Sequence, residues 1–193
     1  MMTPWFGIGL VLGILIILIT LLRWAKRRVS PHAEVVRKLL HVGIGLTALS
    51  FPWLFQQVWP VLLLAAITVP AMLALRYSRQ LNCHLGGVID GVKRDESWGE
   101  VYFPLGVAGL FLLSGGEPVR YTIPLLLLTL ADAAAAVVGV FYGRTRYTTA
   151  DGHKSAEGSL AFFVAALLSS FAVLLIGAVD PWLALLIALI LAF

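Results

Sequence analysis

The sequence predicts an all-α fold, a polytopic transmembrane helix bundle of six full spans followed by a partial or truncated seventh. Hydrophobic residues make up 60% of the 193 and charged residues only 12%. Mean hydropathy is +0.95, and a soluble globular domain cannot hide so large an apolar fraction. Apolar runs recur along the chain near the length of roughly 20 residues that crosses a hydrocarbon core of about 30 Å. A lipid bilayer is therefore the expected solvent.

The first run, residues 5–22, ends at Arg23, Trp24, Lys26, Arg27 and Arg28, an aromatic and basic interface anchor. It has no basic segment before it and no small-residue cleavage site, so a retained span is expected rather than a cleaved signal. The second and third spans, 39–55 and 58–75, are joined by the uncharged pair Gln56-Gln57. A polar stretch from Arg76 to Glu100 leads into the fourth span, 101–113. The turn Ser114-Gly115-Gly116-Glu117-Pro118 then opens the fifth, 121–142. A loop over 143–157 precedes the sixth, 158–178, and Asp180-Pro181 starts the seventh run, 182–193. That last run is short for a crossing. The expectation is a single integral membrane domain over 1–193, truncated at its C-terminus.

Counting spans in this order places loops 23–38, 76–100 and 143–157 on one side, and 13 of the 14 Lys and Arg residues fall there. Only Arg120 falls on the other side. Positive charge is retained on the cytoplasmic face, so these loops are predicted to be cytoplasmic and the N-terminus outside. The same asymmetry accounts for the formal charge of +4, and no nucleic-acid partner is expected. Cys83 is the one cysteine and so has no disulfide or metal-spaced partner. There is no zinc-spaced cluster and no GxSxG elbow.

Four groups of residues can carry chemistry. Arg37-Lys38-Leu39-Leu40-His41 opens the second span. On a helix Arg37 and His41 share a face, and Arg37 with Lys38 can hold phosphate oxygens or serve as positive-inside anchors. The loop Lys93-Arg94-Asp95-Glu96-Ser97-Trp98-Gly99-Glu100 gathers carboxylates able to hold a divalent metal, or forms a solvated loop of weak ion pairs. Glu100 stands apart from these because it sits where a span begins. The strongest signal is Asp132 in Ala131-Asp132-Ala133-Ala134-Ala135-Ala136. It lies roughly 15 Å below the cytoplasmic helix end at 1.5 Å per residue, where a carboxylate costs about 2.5–3.5 kcal/mol and marks a functional site. The last group, Gly152-His153-Lys154-Ser155-Ala156-Glu157-Gly158-Ser159, has Ser155 as a candidate N-cap, Lys154 beside a helix start that attracts phosphate, and glycines that permit close approach. It reads equally as a capped helix with a charged entrance.

In their order, RKLLH, ESWGEVYFPL, ADAAAAVVGVFYGR and HKSAEGSLAFF resemble the membrane-embedded polyprenol kinases, a family that includes phytol kinase, farnesol kinase, dolichol kinase and the CTP-dependent diacylglycerol kinase of yeast. The resemblance covers roughly residues 34–175, and the short bacterial phytol kinase-like members look nearest. This chain differs in carrying Ala133 where a hydroxyl residue usually follows the aspartate. It also ends at Phe193, before the acidic Asp-Asn segment that members carry after their last spans.

The resemblance implies transfer of a phosphoryl group from CTP, or another nucleoside triphosphate, to an isoprenoid alcohol such as phytol, farnesol or geranylgeraniol. It implies Mg2+ or another divalent cation as cofactor, and a bacterial cell membrane or thylakoid membrane as location. Catalytic roles are expected for Asp132, Lys154, His41 and Glu157, with metal contacts from Asp132, Glu100 and Glu157. Nucleotide phosphates are expected at Arg37, Lys38, Arg94, Arg144, Lys154, Ser155, Gly158 and Ser159. Two other readings compete: a CTP-dependent cytidylyltransferase making a CDP-lipid, and a small transporter with Asp132 as its intramembrane site.

Overall fold

The structure, a computed structural model, describes residues 3–29, 33–77, 98–149 and 152–193. Each of the seven apolar runs coincides with a helix. These are α1 (Pro4–Val29), α2 (Ala33–Leu49) with the short α3 (Phe51–Leu54), α4 (Trp59–Tyr77), α5 (Gly99–Ser114), α6 (Pro118–Leu126) continuing through a π-turn (Leu127–Ala131) into α7 (Asp132–Tyr142), α8 (Ala156–Ile176) and α9 (Pro181–Ala192). The expected all-helical architecture holds with one addition. The loop read between the fifth and sixth spans contains an antiparallel hairpin of β1 (Arg146–Thr149) and β2 (Gly152–Ser155).

Among the described residues three stretches are long and apolar enough to cross a membrane, Pro4–Ala25, Pro118–Tyr142 and Ala156–Ile176, while four others are apolar but shorter. Large apolar side chains stand outward along them: Trp5, Ile16, Ile17 and Leu21 on α1, Leu160 and Leu168 on α8, Trp182 and Ile190 on α9 are all exposed. Contiguous surfaces of that kind suit hydrocarbon rather than water.

The chain forms two compact units, residues 1–117 and 118–193. In the first, α1 and α2 are antiparallel and approach closely because glycines remove the intervening side chains. A Cβ on Gly43 would lie 2.5 Å from Leu18 Cδ2, and one on Gly7 would lie 2.7 Å from Phe55 Cε1. The core of this unit includes Val11, Phe51, Val61, Phe103 and Phe111, all buried. Helix α5 ends where Gly115 takes a left-handed conformation with φ 62°, the standard role of a glycine past a helix end.

The second unit is built around α8. Its buried stripe Ala166, Ser170, Leu174 has a spacing of four residues, which keeps one helix face inward. Leu174 packs with Ile123, Ala184 and Ala188, and Ala166 with Ala131 and Ala192. The alanines at 184, 188 and 192 bring α9 close, the small-residue packing expected of helices that associate without a hydrophobic driving force. Asp180 caps α9, its Oδ1 accepting from the N–H groups of Trp182 and Leu183 at 3.0 and 3.2 Å. At the far end of α8, Ala178 adopts φ 57°, and the N–H of Val179 reaches the Leu174 carbonyl at 3.1 Å.

The π-turn leads directly to Asp132. Pro124 removes one donor from the ladder ahead of it. Thr129, fully buried, turns its hydroxyl onto the Leu125 carbonyl at 2.5 Å, and the Asp132 N–H bonds to the carbonyl of Leu127 five residues back. Such wide turns often occur at functional sites.

Candidate active site

The candidate site of the second unit is assembled where α7 ends, the hairpin turns back and α8 begins. Small residues make this crossing possible. A Cβ on Gly158 would lie 2.8 Å from the Ala135 carbonyl oxygen and 3.2 Å from Gly139 Cα. One on Gly143 would collide with the Gly139 carbonyl and lie 2.7 Å from Ser155 Oγ. Ala135 and Gly139 on α7, with Gly143 just past its end, thus form the seam against which the α8 entrance sits.

Ser155 caps α8. Its backbone is extended at φ −125°, ψ 148°, and its buried Oγ accepts the Gly158 N–H at 3.1 Å. This satisfies one of the free donors at the helix start. The carboxylate of Glu157, in the first turn, accepts the backbone N–H of Thr145 at 3.1 and 3.3 Å through its two oxygens. The Thr145 carbonyl in turn accepts the Ala156 N–H at 2.9 Å. Glu157 also sits favourably near the positive end of the helix dipole.

The hairpin presents the cations. Tyr147 pairs with Lys154 and Thr148 with His153, and directly opposed residues share a sheet face. The Tyr147 hydroxyl lies 2.6 Å from Ser159 Oγ, so the face holding Lys154 is fixed to the first turns of α8. Thr148 Oγ1 lies 3.3 Å from His153 Nδ1. Lys154, Arg144 and Arg146 are exposed. Lys154 shares its sheet face with Tyr147, Arg146 pairs with Ser155 on the other face, and Arg144 lies just before β1, so cations flank the α8 N-terminus, a setting suited to anionic oxygens.

The structure therefore brings together Arg144, Lys154, Ser155, Glu157, Gly158 and Ser159. Asp132 is half-buried and lies on α7 about 10 Å from Gly139 at 1.5 Å per residue, at the end of that helix away from the hairpin. Among the described residues no group of three His, Cys, Asp or Glu side chains could hold a metal.

The first unit carries a second polar group. The His41 ring of α2 meets Phe103 of α5 edge-on, with centroids 4.6 Å apart and planes at 65°. Lys38 is buried, at 8% exposure. The mouth of α2 and the start of α5, read from the sequence as separate motifs, are thus neighbours within this unit. Arg37 falls in α2 and Glu100 in the first turn of α5, and the side chains of both lie outside what the structure describes. Arg94 lies outside the described residues.

Sequence reasoning passed over Thr145 and Tyr147, whose contacts organise the entrance. A signal existed, because Arg146-Tyr147-Thr148-Thr149 is β-favouring and Asp151-Gly152 follows it.

No protein-family model matches the chain, and no solved structure matches it either. Compared with known proteins, it is 32% identical over 171 residues to phytol kinase of Synechocystis sp., an alignment covering 85% of this chain and 69% of that relative. The chain belongs to the phytol kinase family. The aligned stretch of 171 residues is longer than either compact unit, so the similarity to phytol kinase reaches into both.

Proposed function

We propose that this chain is a membrane-embedded kinase of isoprenoid alcohols, transferring a phosphoryl group from CTP, or another nucleoside triphosphate, to a terminal hydroxyl such as that of phytol, farnesol or geranylgeraniol. The similarity to phytol kinase over 85% of the chain carries the reading. The cation-bearing hairpin at the mouth of an apolar helix pair supports it. In this reading six spans and a partial seventh set the three basic loops on the cytoplasmic face of a bacterial cell or thylakoid membrane, with the N-terminus outside. A soluble nucleotide then arrives from water and the alcohol from the bilayer.

Phosphoryl transfer depends on positioning and on offsetting charge. Lys154 and Arg144, with Arg37, Lys38 and Arg94, are assigned to the phosphates, and the α8 N-terminus at Ser155, Gly158 and Ser159 adds its dipole. The alcohol oxygen attacks the terminal phosphorus, the bond to the bridging oxygen breaks, and the nucleoside diphosphate leaves. Asp132 is assigned to the substrate hydroxyl, and His41 is a second candidate to take its proton.

The residues present fit Mg2+, which binds through one or two carboxylates plus waters and substrate phosphates rather than an all-protein cage. Asp132, Glu157 and Glu100 are the candidate holders. Both oxygens of Glu157 accept one backbone N–H yet keep further lone pairs. When bound, Mg2+ neutralises charge on the phosphates.

The test is incubation of the purified chain in lipid with labelled CTP, ATP, GTP or UTP and a panel of isoprenoid alcohols. A lipid monophosphate and nucleoside diphosphate are expected. Release of pyrophosphate with a CDP-lipid product would replace this reading by cytidylyl transfer, and no lipid product with any pair would end it.

A further inference from the structure

The hairpin that carries Lys154 is attached to α8 at two separate points, and the two do different work. The first is its base. Thr145, just before β1, bonds through its backbone to Glu157 and to Ala156, and β2 runs without a break from Ser155 into α8. Both of these ties lie at the same end of the hairpin. By themselves they form a hinge, about which the two strands can swing toward or away from the helix.

The second point stops the swing. Tyr147 lies two residues farther out along β1, about 7 Å from Thr145 at the rise of a strand. Its hydroxyl stands 2.6 Å from the Oγ of Ser159, the fourth residue of α8. The Thr148 contact with His153 is farther out still but joins one strand to the other, not the hairpin to the helix. Tyr147 is also the residue directly opposite Lys154, and opposed residues project from one face of a sheet. The side chain that clasps α8 is thus the neighbour of the cation.

We infer that Tyr147 is a positioning residue for Lys154: by clasping Ser159 it holds the Lys154 face of the hairpin at the α8 N-terminus, so that ammonium and helix dipole act on the same phosphate group. The inference rests on the kinase reading and gives the Ser159 hydroxyl the task of anchoring Tyr147. Tyr147 is 41% exposed and Ser159 is exposed too, so breaking their bond leaves no buried polar group behind. The loss is felt in how well the nucleotide is held, not in whether the chain folds.

The test uses the full chain in lipid nanodiscs with Tyr147→Phe, Ser159→Ala, the double variant and Ser159→Thr. Tyr147→Phe keeps the ring and removes only the hydroxyl. It should raise the KM for the nucleoside triphosphate about three- to tenfold, the scale of one exposed hydrogen bond, with kcat changed by less than about twofold. Ser159→Ala should match it in KM, the double variant should be no worse than either single change, and Ser159→Thr, which keeps a hydroxyl, should restore wild-type KM. A fall in kcat at constant KM, or single effects that simply add, overturns the inference. Amide exchange along β1, read without nucleotide, should quicken about three- to tenfold in Tyr147→Phe, and unchanged exchange overturns the clasp directly. Quickened exchange in a chain that makes no lipid phosphate with any nucleotide removes the kinase reading and the role of Tyr147 with it. Lipid phosphate made at an unchanged KM removes the role of Tyr147 alone.

Discussion

Thr145 is tied to Glu157 through its backbone, its N–H donating to both carboxylate oxygens at 3.1 and 3.3 Å. With the Ala156 N–H on its carbonyl, Thr145 locks the hairpin to the α8 entrance. Glu157→Ala should release the hairpin, speeding amide exchange at Thr145 by roughly tenfold and lowering lipid phosphate formation. Glu157→Gln keeps one acceptor oxygen and should hold the hairpin in place. Equal exchange in both variants would show that the carboxylate is no strut.

Gly158→Ala should push α7 and α8 apart, since its Cβ would stand 2.8 Å from a backbone oxygen that cannot turn aside. A loss of about 1–3 kcal/mol is expected, read as a fall in thermal stability in detergent. Gly106→Ala on α5 is the comparison, because a Cβ there meets nothing within 4 Å. It should be neutral or stabilising by about 0.5–1 kcal/mol.

Asp132→Asn preserves shape and removes the charge. Turnover should drop by at least about a hundredfold, the scale of losing a positioned acid or base, with thermal stability shifted by less than about 1 kcal/mol. Near-normal turnover would remove Asp132 from the chemistry. Flux in nucleotide-free liposomes, abolished by the same change, would favour the transporter reading.

Ser170 is fully buried and its Oγ has no hydrogen-bond partner among the described residues. Ser170→Ala should therefore cost nothing and can stabilise by up to about 1 kcal/mol. Ser170→Leu should destabilise by about 1–3 kcal/mol, because the stripe it shares with Ala166 and Leu174 packs closely. Thermal unfolding in one detergent compares the two.

Ala178 carries φ 57°, a conformation that costs an L-residue roughly 1–2 kcal/mol. Ala178→Gly should raise stability by about 0.5–1 kcal/mol after the added chain entropy of glycine is counted. An unchanged or lower melting point would contradict the strained corner.

Hydropathy revealed the helices because lipid-facing surface demands a continuous apolar run. The first run and the 158–178 run matched long helices within a few residues of their described starts. Asp132 stood out by its energetic cost in an apolar setting, and Ser155 by its capping chemistry, which the structure bears out. The hairpin escaped notice because Arg146, Thr148 and Lys154 are polar and few, so a four-residue strand leaves no hydrophobic period to read. The neighbourhood of His41 and Phe103 was equally hidden. It joins helices separated by some sixty residues of sequence, and no local spacing encodes it.

The π-turn at Leu127–Ala131 places one extra residue in what otherwise reads as a continuous helix from Pro118 to Tyr142. Each half keeps its own phase, and the two are offset by about 100°. A helical wheel drawn straight through would misplace Asp132 and the Ala135–Gly139–Gly143 seam by a little over a quarter-turn, about 100°. Deleting one residue within the turn would swing that carboxylate and the seam together, away from α8, without altering a single side chain of either.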